Sequence, residues 1–561
     1  MMRQDCNIAQ VLATAAQAQP EAIALVVKEG KTRQHKKWQH YSFSELAERS
    51  RQFAGSLQAA GLCRGERVML MLRPSLDFVA LTFALFHLGA VIILIDPGMG
   101  YRNLLRCIRT VQPETLIGVG RAILFSRLFP GTFHTLKKRI CVFGRLPGSM
   151  RLKTLPQAAA PPAFTAAADD LAAVIFTSGS TGPPKGVHYT HGIFHAQLQL
   201  IRDYYGIGPG DTDQPGFTLF GLFSTALGAK AVLPDMDPTK PAQVDPQKFV
   251  AGIQAEKVSY SFGSPAIWRV VSRYCLEQEI RLPLHTVLMA GAPVPGELLA
   301  DMQKILPEDA RIFTPYGATE SLPVASIEAR EIVGKTWVAT RKGRGYCVGR
   351  PLPDMDVRII AVSEEEIADW HQVRELPPGE IGEIVVRGPV VTPAYDHNAA
   401  ETRRAKIVSV EDGTKGLWHR MGDMGYVDEE GRLWFCGRKA HRVLSAEGPM
   451  YSVCCEAIFN EHPLLLRSAL VGLGRPGRHI PVLVVELKQK GKAPAGLTEE
   501  LLALGQTSEL TRTIRHILVH PAFPVDIRHN AKIFREELAQ WAAQQLPRLA
   551  ADSGTTNDSQ P

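Results

Sequence analysis

The sequence predicts a large N-terminal α/β domain, with parallel-type sheets layered with helices, and a small C-terminal α+β domain. Short apolar, β-branched runs alternate with helix-like stretches through much of the chain. At 561 residues the chain is also too long to form one compact core. After about Trp418 the runs become compact and β-like. Alternation of strands and helices indicates parallel strands with helices packed on both faces of a sheet.

The N-terminal elements follow from the spacing of apolar residues. A spacing of three to four residues predicts a helix over Phe43–Gly61. The eighteen residues Phe78–Ile95 carry no formal charge and have the length of a membrane span. Gly89-Ala90 divides this run, so it predicts a buried helix followed by a buried strand. Further strands are predicted at Arg67–Met71, Thr115–Val119, Leu171–Phe176, Val287–Met289, Val357–Ile360 and Glu383–Val386.

The C-terminal part reads as a smaller module. After the β-like segment Arg432–Cys436, we predict strands near Arg467–Leu473 and Val482–Leu487, and a helix near Arg535–Leu546. This divides the chain into a large domain of residues 1–437 and a small, mobile domain of residues 438–550. The polar residues 551–561 are predicted to be a disordered tail.

The composition is that of an ordinary globular protein with a mild excess of positive charge. The chain is 45% hydrophobic and 21% charged, with a net charge of +7. This charge suits an anionic substrate such as ATP, but no basic stripe interleaved with aromatic residues points to nucleic acid. Nine scattered cysteines without a CxxC pair predict reduced, mostly buried thiols. With no signal-peptide pattern, we expect a cytoplasmic protein without a transmembrane segment.

The strongest motif is Val174–Gly186, VIFTSGSTGPPKG. An apolar run feeds a loop with glycines at Gly179, Gly182 and Gly186, which let the backbone approach an anion. Hydroxyls and one cation complete the loop, at Thr177, Ser178, Ser180, Thr181 and Lys185. The order differs from a Walker P-loop, in which Ser or Thr follows Gly-Lys. A polyphosphate site is therefore favoured over a flexible surface loop.

This stretch resembles the phosphate-binding signature of the adenylate-forming enzymes, which include acyl-CoA synthetases, luciferases and peptide-synthetase adenylation domains. Further motifs match in the expected order, over roughly residues 8–545: Tyr316–Glu320 (YGATE), Met421–Asp423 (MGD), Gly437-Arg438 and Asn530–Ile533 (NAKI). The resemblance implies that a carboxylate reacts with ATP and Mg²⁺ to give an acyl-AMP.

The resemblance also implies roles for residues of YGATE. Tyr316 is expected to stack on adenine, Thr319 to contact a phosphate and Glu320 to hold Mg²⁺, for which a hard oxygen ligand is suitable. Gly291 and Ala292 match a segment of small residues that flanks the adenine ring. A turn that ends in a surface glutamate is the alternative interpretation of YGATE.

Three later residues complete the implied site. Asp423 matches a ribose-binding aspartate, because one carboxylate can accept hydrogen bonds from both ribose hydroxyls. Arg438 matches an arginine that shares this role beside the hinge. Lys532 matches the lysine that contacts the carboxylate and the α-phosphate during adenylation. Here Lys532 follows Asn530-Ala531, where the family usually has Ser-Gly. The alternative interpretation of Lys532 is a surface lysine without a catalytic role.

Two segments depart from the pattern of the CoA ligases. The position two residues after Arg438 is Ala440, where Asp or Lys is usual. The segment Gly448–Glu456 is one residue shorter than usual before its glutamate. In CoA ligases these parts support the domain orientation that forms the thioester, so the departures argue against CoA chemistry.

Other stretches resemble a narrower group, the olefin β-lactone synthetases: Pro234–Pro246, Phe262–Ala266, Thr314–Ala325 and Val519–Ile533. The resemblance implies that a 2-alkyl-3-hydroxy fatty acid is activated as acyl-AMP. Its own hydroxyl then closes a β-lactone and releases AMP, in long-chain olefin biosynthesis. The resemblance also suggests a complex with other enzymes of that pathway. The Phe-rich Gly216–Gly228 could line an alkyl site or belong to ordinary core.

Two other functions remain open at this point. A fatty acyl-CoA ligase would share the first step and use the CoA thiol as acceptor. A non-catalytic nucleotide-binding scaffold is disfavoured by the presence of Lys185, Glu320, Asp423 and Lys532. His191 follows the phosphate loop and is either a base for ring closure or, more simply, a structural histidine.

Overall fold

The computed structural model describes residues 5–29, 37–144, 146–177, 182–411, 414–489, 491, 493–525 and 532–547. The first part of the chain supplies helices and strands to two sheets. Its elements are α1 (Ala9–Ala18), β1 (Ile23–Glu29), β2 (Lys37–Ser42), α2 (Phe43–Ala59), β3 (Arg67–Met71), α3 (Leu76–His87), β4 (Val91–Leu94), α4 (Tyr101–Val111), β5 (Thr115–Gly118), α5 (Gly120–Leu128), β6 (Lys138–Cys141), β7 (Met150–Arg151), β8 (Leu171–Phe176), β9 (Gly186–Thr190) and α6 (His191–Tyr205).

The next part completes the second of these sheets. Its elements are β10 (Thr212–Asp213), α7 (Gly221–Ala226), β11 (Lys230–Val232), α8 (Pro246–Ala255), β12 (Tyr260–Gly263), α9 (Pro265–Glu277), β13 (Thr286–Met289), α10 (Gly296–Ile305) and β14 (Arg311–Phe313).

Two seven-stranded sheets, both mainly parallel, form the first part of the large domain. One has the order β7-β6-β5-β3-β4-β8-β9 and the other the order β14-β13-β12-β10-β11-β1-β2. Only the edge pairs β8–β9 and β1–β2 are antiparallel. One apolar cluster joins both sheets and includes Leu25, Leu46, Val68 and Ile92. The predicted parallel sheets layered with helices are thus confirmed.

The uncharged run Phe78–Ile95 is a helix followed by a strand, as predicted. Phe78–Phe86 are all buried in α3, and β4 follows after a turn in which Gly89 has a positive φ of 67°. The run lacks charge because it lies between the helices and sheets of the core, not because it spans a bilayer. Among the described helices, none has the length and apolar character needed to cross a membrane.

An antiparallel sheet of eight strands follows. Its strands are β15 (Tyr316–Ala318), β16 (Ser321–Ser326), β17 (Tyr346–Pro351), β18 (Asp356–Ile360), β19 (Gly382–Arg387), β20 (Lys406–Glu411), β21 (Thr414–Val427) and β22 (Leu433–Arg438). Short helices α11 (Ala329–Glu331) and α12 (Trp337–Ala339) alternate with π-helical turns before β17, and α13 (Ala399–Ala405) precedes β20.

The β-rich region therefore begins at Tyr316, well before the change expected near Trp418. The predicted strands at Val357–Ile360 and Glu383–Val386 are present, but they pair antiparallel with each other. Five consecutive residues of β19, Gly382–Val386, are buried, and its apolar run Ile384–Val386 does not alternate with polar residues, as is also the case in parallel strands. The pattern alone could not distinguish the two arrangements.

The small C-terminal module follows β22. Its elements are β23 (Val443–Ser445), β24 (Gly448–Met450), α14 (Ser452–Phe459), β25 (Leu465–Leu473), β26 (Ile480–Leu487), α15 (Leu497–Gln506), β27 (His516–Val519) and α16 (Arg535–Gln545). Strands β25, β26 and β27 form one sheet, and β23 and β24 form a hairpin. This confirms the predicted small α+β domain, while a boundary at residues 437/438 stays a prediction. The predicted disordered tail lies outside the described residues.

Candidate active site

The two ends of the predicted phosphate loop are held together. The Thr177 amide donates to the Lys185 carbonyl at 3.0 Å, and the Lys185 amide donates to Thr177 Oγ1 at 3.1 Å. Gly186 then opens β9 in a crowded position, since a Cβ placed there would lie 2.9 Å from Val174 Cγ1. Gly182 has a φ of +145°, which favours glycine. The predicted residues Ser178, Gly179, Ser180 and Thr181 lie outside the described residues.

The Lys185 side chain contacts two residues that the sequence did not single out. Its Nζ forms an ion pair with Glu401 Oε2 and lies 5.0 Å from the centroid of the Tyr395 ring. Glu401 also accepts from Arg404 Nη1 at 3.1 Å, at the end of the cavity where the phosphate loop lies. The triphosphate of a bound ATP would therefore compete with Glu401 for this lysine.

Glu320 lies on the turn between β15 and β16, beside Lys185. Its Oε1 accepts a hydrogen bond from the Tyr395 hydroxyl at 2.7 Å, and its backbone carbonyl accepts from the Thr392 amide and hydroxyl. The neighbouring Thr319 carbonyl accepts from the Tyr189 hydroxyl at 2.6 Å. Burial, followed by the charge of Glu320, raises the pKa of Tyr395. Backbone and side-chain contacts thus fix the orientation of the Glu320 carboxylate.

A single carboxylate, that of Glu320, is enough for a protein to bind Mg²⁺ beside a nucleotide. Mg²⁺ keeps several waters and is bound by one or two carboxylates together with substrate phosphates. Tyr395 engages Oε1 of Glu320, which leaves Oε2 as an oxygen for the ion. Within the described part of the chain, no cluster of three or more His, Cys, Asp or Glu residues suits a metal. The donor set therefore suits a metal that arrives with ATP.

A buried lysine lies behind the Glu320 carboxylate. Lys406, the first residue of β20, donates from Nζ to the Thr392 carbonyl and is 6% exposed. Burial lowers its pKa to about 7, although the nearby charge of Glu320 acts in the opposite direction. Its cross-strand partner His419 is also buried, and burial lowers the pKa of that imidazole. Burial thus favours the neutral form of both side chains.

The side chains of Tyr316, Asp423 and Arg438 contact one another. The Tyr316 hydroxyl donates to Asp423 Oδ2 at 2.6 Å, and Arg438 Nη1 lies 2.9 Å from Asp423 Oδ1. The two strands that carry Asp423 and Arg438 pair in register at these residues. Burial raises the pKa of Asp423, although the Arg438 charge acts in the opposite direction. A carboxylate held in this way is suitable for accepting hydrogen bonds from two ribose hydroxyls.

The adenine-flanking segment lies in the same cavity. Ala290-Gly291-Ala292 directly follows β13, and Gly291 has a φ of +96° that favours glycine. Gly291, Ala292 and Tyr316 all line the cavity. The predicted adenine residues are therefore brought together at the carboxyl ends of parallel strands, where such sheets bind ligands.

Lys532 reaches this cavity from the small domain. It directly precedes Ile533, which forms an isolated bridge with Val525 shortly before α16 begins, and it lines the cavity. Burial raises the pKa of Asp423, and the positive charge of Lys532 acts in the opposite direction, which indicates that the two residues lie close together. The small domain is thus oriented so that its lysine faces the nucleotide residues.

An ion pair inside the small domain holds this lysine segment. Arg535 Nη2 donates to Glu456 Oε2 at 2.8 Å, and Glu456 Oε1 also accepts from the Leu470 amide at 2.8 Å. Both side chains are nearly buried, at 12% and 8% exposure. Glu456 belongs to the segment that departs from the CoA ligases, and here it anchors α16 to α14 and β25.

The cavity has a volume of about 1380 Å³ and continues from the nucleotide residues into an apolar arm. Phe217, Phe220 and Phe223 line this arm, together with Phe262 from β12. The rings of Phe220 and Phe262 stack with centroids 3.9 Å apart. The Phe-rich segment is therefore a cavity wall, which was one of the two interpretations that the sequence allowed. Thr82, Phe83 and Phe86 of α3 line a further part of the same cavity.

His191 has a structural contact at the start of α6. Its Nδ1 accepts from the Ile8 amide at 3.2 Å, and the side chain is 1% exposed. Burial lowers its pKa to about 4. Among the described residues that line the cavity, His191 is absent.

A family model described as AMP-binding enzyme matches residues 12–396. The chain belongs to this family. The resemblance to adenylate-forming enzymes is thereby confirmed, and with it the use of ATP that is general to the family.

Two relatives are similar over nearly the whole length. The chain is 45% identical over 554 residues to the olefin beta-lactone synthetase of Xanthomonas campestris pv. campestris, covering 96% of this chain and 98% of that protein. It is 44% identical over 561 residues to the olefin beta-lactone synthetase of Stenotrophomonas maltophilia, covering 98% and 100%.

Solved structures agree with the fold. The amide bond synthetase McbA of Marinactinospora thermotolerans superposes with a TM-score of 0.77 at 20% identity, covering 95% of this chain and 99% of that one. The O-succinylbenzoate coenzyme A synthetase MenE of Bacillus subtilis, in complex with ATP and magnesium ion, gives a TM-score of 0.72 at 22% identity, covering 94% and 98%.

Sequence reasoning missed Tyr189, Tyr395, Glu401 and Lys406. Tyr395 and Lys406 lie in a stretch without a motif, and they reach Glu320 through contacts between residues far apart in the sequence. Only the run of charged residues in α13 (AAETRRA) distinguishes this region locally. A charged run usually indicates a solvated helix, so it gave no signal for a site.

Proposed function

We propose that this protein converts a 2-alkyl-3-hydroxy fatty acid to a β-lactone in two steps, with ATP consumed to AMP and pyrophosphate. The observation that carries the proposal is the near-full-length identity of 44–45% to two olefin beta-lactone synthetases. The apolar arm that joins the nucleotide residues supports it, because an alkyl-bearing acid needs such a wall.

In the first step the substrate carboxylate attacks the α-phosphorus of ATP, and pyrophosphate leaves. Lys532 is placed to balance the charge that develops between the carboxylate and the α-phosphate, and such preorganised charge is the largest common source of catalysis. Lys185 exchanges Glu401 for a phosphate, Thr319 contacts a phosphate, and Thr177 with Ser178, Gly179, Ser180, Thr181 and Gly182 surrounds the polyphosphate. Asp423, Arg438, Tyr316, Gly291 and Ala292 orient the nucleoside.

Mg²⁺ is the metal that we propose for this step. When bound with ATP it would neutralise phosphate charge, and Glu320 is the residue that would hold it. Tyr395 keeps the Glu320 carboxylate oriented for this role. Arg404, which also lines the cavity, adds to the attraction for the polyphosphate.

In the second step the 3-hydroxyl attacks the acyl carbon of the adenylate. The new C–O bond closes a four-membered ring, AMP leaves with the electron pair of the broken acyl–phosphate bond, and the hydroxyl proton passes to solvent. Both groups belong to one molecule, and a well-oriented intramolecular reaction gains up to roughly 7–11 kcal/mol before ring strain is subtracted. No thiol is required, in keeping with the departures at Ala440 and Gly448–Glu456.

A division of the chain at residues 437/438 belongs to the same proposal. The small domain would move about the Gly437–Ala440 segment to admit substrate and to bring Lys532 to the cavity. Seven of the nine cysteines are buried, which is compatible with the cytoplasmic setting that we propose. Association with other enzymes of olefin synthesis is the partner that the relatives suggest.

The test is product analysis with MgATP and a 2-alkyl-3-hydroxy acid, in the presence and absence of CoA. The proposal expects β-lactone and AMP in equal amounts without CoA. A fatty acyl-CoA ligase would give acyl-CoA, and only when CoA is added. A non-catalytic scaffold would release no pyrophosphate under either condition.

A further inference from the structure

One segment of the large domain concentrates the positive charge of the molecule. Residues 101–155 hold eleven lysines and arginines and a single acidic residue, Glu114, so their net charge of +10 exceeds the +7 of the whole chain. The remainder of the protein is therefore slightly acidic. Such local asymmetry points to an anionic partner rather than to a general property of the surface.

The fold places much of this charge on one outer surface. Helices α4 and α5 cover the same face of the first sheet, since Cys107 and Ile108 of α4 share an apolar cluster with Ile123 of α5. Their opposite sides are exposed to solvent and carry these arginines: Arg102, Arg106, Arg109 and Arg121. Arg151 and Lys153, beyond β6, are exposed as well.

Large apolar side chains protrude among these cations. Of the ten large hydrophobic residues that are exposed in the described part of the chain, four belong to this segment. Leu124 and Leu128 lie one turn apart on α5 and are 50% and 66% exposed, while Tyr101 and Phe143 are 60% and 57% exposed. The Phe143 carbonyl lies 3.9 Å from a Cβ placed on Gly120, so this residue is beside the start of α5.

Acidic residues pair with only some of the cations in this segment, namely the lysines at the start of β6. Glu114 pairs with Lys137 at 2.6 Å, and Glu66 pairs with Lys138 at 2.9 Å. Among the described residues, no carboxylate forms an ion pair with Arg106, Arg109 or Arg121. We define the α4–α5 face by its outward residues: Tyr101, Arg102, Arg106, Arg109, Arg121, Leu124, Leu128 and Phe143.

We propose that the α4–α5 face docks this protein on the surface of an anionic phospholipid bilayer. Arginines near such a surface each raise affinity about fivefold through attraction to anionic headgroups. Protruding leucine and phenylalanine side chains insert at the boundary between headgroups and acyl chains, as in basic amphipathic helices that lie on membranes. The face therefore combines the two features that peripheral binding requires.

The same features argue against other anionic partners. Single-stranded nucleic acid stacks its bases on aromatic side chains. Tyr101 and Phe143 are the two aromatic residues of this face, but Leu124 and Leu128 offer aliphatic surface on which bases do not stack. An acidic protein would cover a contiguous apolar core, whereas these side chains protrude singly among charges. The substrate class under our proposed function is itself a lipid, and a bilayer is where such an acid partitions. The docking can be measured whether or not that function holds.

The experiment is co-sedimentation of the full-length protein with vesicles of phosphatidylglycerol and phosphatidylcholine, compared with phosphatidylcholine alone. We expect binding only to the anionic vesicles, weakened by raising the salt concentration. The variant Arg106→Glu, Arg109→Glu, Arg121→Glu should lose at least tenfold in affinity. A second variant, Leu124→Ser with Leu128→Ser, should lose binding without a change in charge.

A matched variant, Lys248→Glu, Arg281→Glu, Lys304→Glu, makes the same charge change on another exposed surface and should bind the anionic vesicles within about fivefold of the wild type. An equal loss in both triple variants would overturn the proposal, because net charge alone would then explain binding. Equal binding of the wild type to both kinds of vesicle, or to neither, would also overturn it. So would binding to an acidic polypeptide or to DNA in place of anionic vesicles.

Discussion

Tyr395 donates its hydroxyl to Glu320 Oε1 at 2.7 Å, while its ring lies 5.0 Å from the Nζ of Lys185. One side chain thus orients the proposed metal carboxylate and also contacts the proposed phosphate lysine. Tyr395 precedes α13, whose Glu401 pairs with the same lysine. The loop that contains Tyr395 and the helix α13 therefore complete the candidate site, although neither contains one of its recognisable sequence motifs.

The hydroxyl of Tyr395 provides a first prediction. Tyr395→Phe keeps the ring beside Lys185 and removes the hydrogen bond to Glu320, which is worth about 1.5–3 kcal/mol to a charged group. The Mg²⁺ concentration for half-maximal pyrophosphate release should rise several-fold. Tyr274→Phe, on the helix α9, serves as the control. An unchanged Mg²⁺ dependence in Tyr395→Phe would remove this residue from metal positioning.

Substitution of Glu320 should affect adenylation and its Mg²⁺ dependence more than Tyr395→Phe does. A neutral amide is a poorer ligand for a hard dication, so Glu320→Gln should slow adenylation at least tenfold and raise the Mg²⁺ requirement further. Initial rates over a Mg²⁺ titration measure both effects, with Glu380→Gln, an exposed glutamate, as control. Wild-type rates for Glu320→Gln at limiting Mg²⁺ would show that the assigned role is wrong.

Lys532 is expected to act in the transition state rather than in the resting complex. Lys532→Ala should reduce pyrophosphate release at least a hundredfold while ATP binding changes little, because the lost interaction forms as charge develops. Lys488→Ala, a lysine of the same domain that donates to the Pro463 carbonyl, is the matched control. Normal pyrophosphate release by Lys532→Ala would exclude this lysine from the mechanism.

Asp396 links the phosphate loop to the core and gives a prediction about pH. Its carboxylate pairs with Arg67 at 2.7 Å and His188 at 2.8 Å, and its amide donates to the Gly186 carbonyl. Burial alone would raise its pKa, but His188 and Arg67 lower it to about 2, from an ordinary 3.8. A lowered pKa stabilises the folded state above pH 4, by about 2–3 kcal/mol, and this contribution is lost as the pH falls toward 2.

The measurement compares wild type with Asp396→Asn in urea unfolding over a range of pH. The variant should lose about 3–5 kcal/mol at neutral pH, because Arg67 is left without its partner. The difference should stay constant down to about pH 5 and shrink below pH 4. Parallel stability curves at every pH would show that the ionised carboxylate contributes nothing.

The fold and part of the site could be predicted because their signals are local. Lys185 and Glu320 belong to short motifs, and strands such as β3 and β8 follow from continuous apolar runs. Tyr395 and Lys406 could not be predicted, because their roles depend on contacts with residues distant in the sequence. The buried pair of Arg535 with Glu456 is of the same kind: neither residue indicates the other until the small domain has folded.

The antiparallel sheet shows a second limit of local patterns. Strand β19 is buried on both faces, so its sequence cannot indicate whether its neighbours run parallel or antiparallel. The Phe-rich segment posed a similar ambiguity between core and cavity wall. The packing of neighbouring elements settles both questions, and this packing cannot be inferred from a short stretch of sequence.

The most direct test of the central claim uses two acids that differ only in the 3-hydroxyl. With the 2-alkyl-3-hydroxy acid, MgATP and no CoA, we predict steady release of AMP and one β-lactone for each AMP, because the hydroxyl is the nucleophile of the second step. The matching acid without the hydroxyl should release one pyrophosphate per enzyme and stop as bound acyl-AMP. Rapid AMP turnover from the simple acid, seen only when CoA is added, would contradict the account and identify the protein as an acyl-CoA ligase.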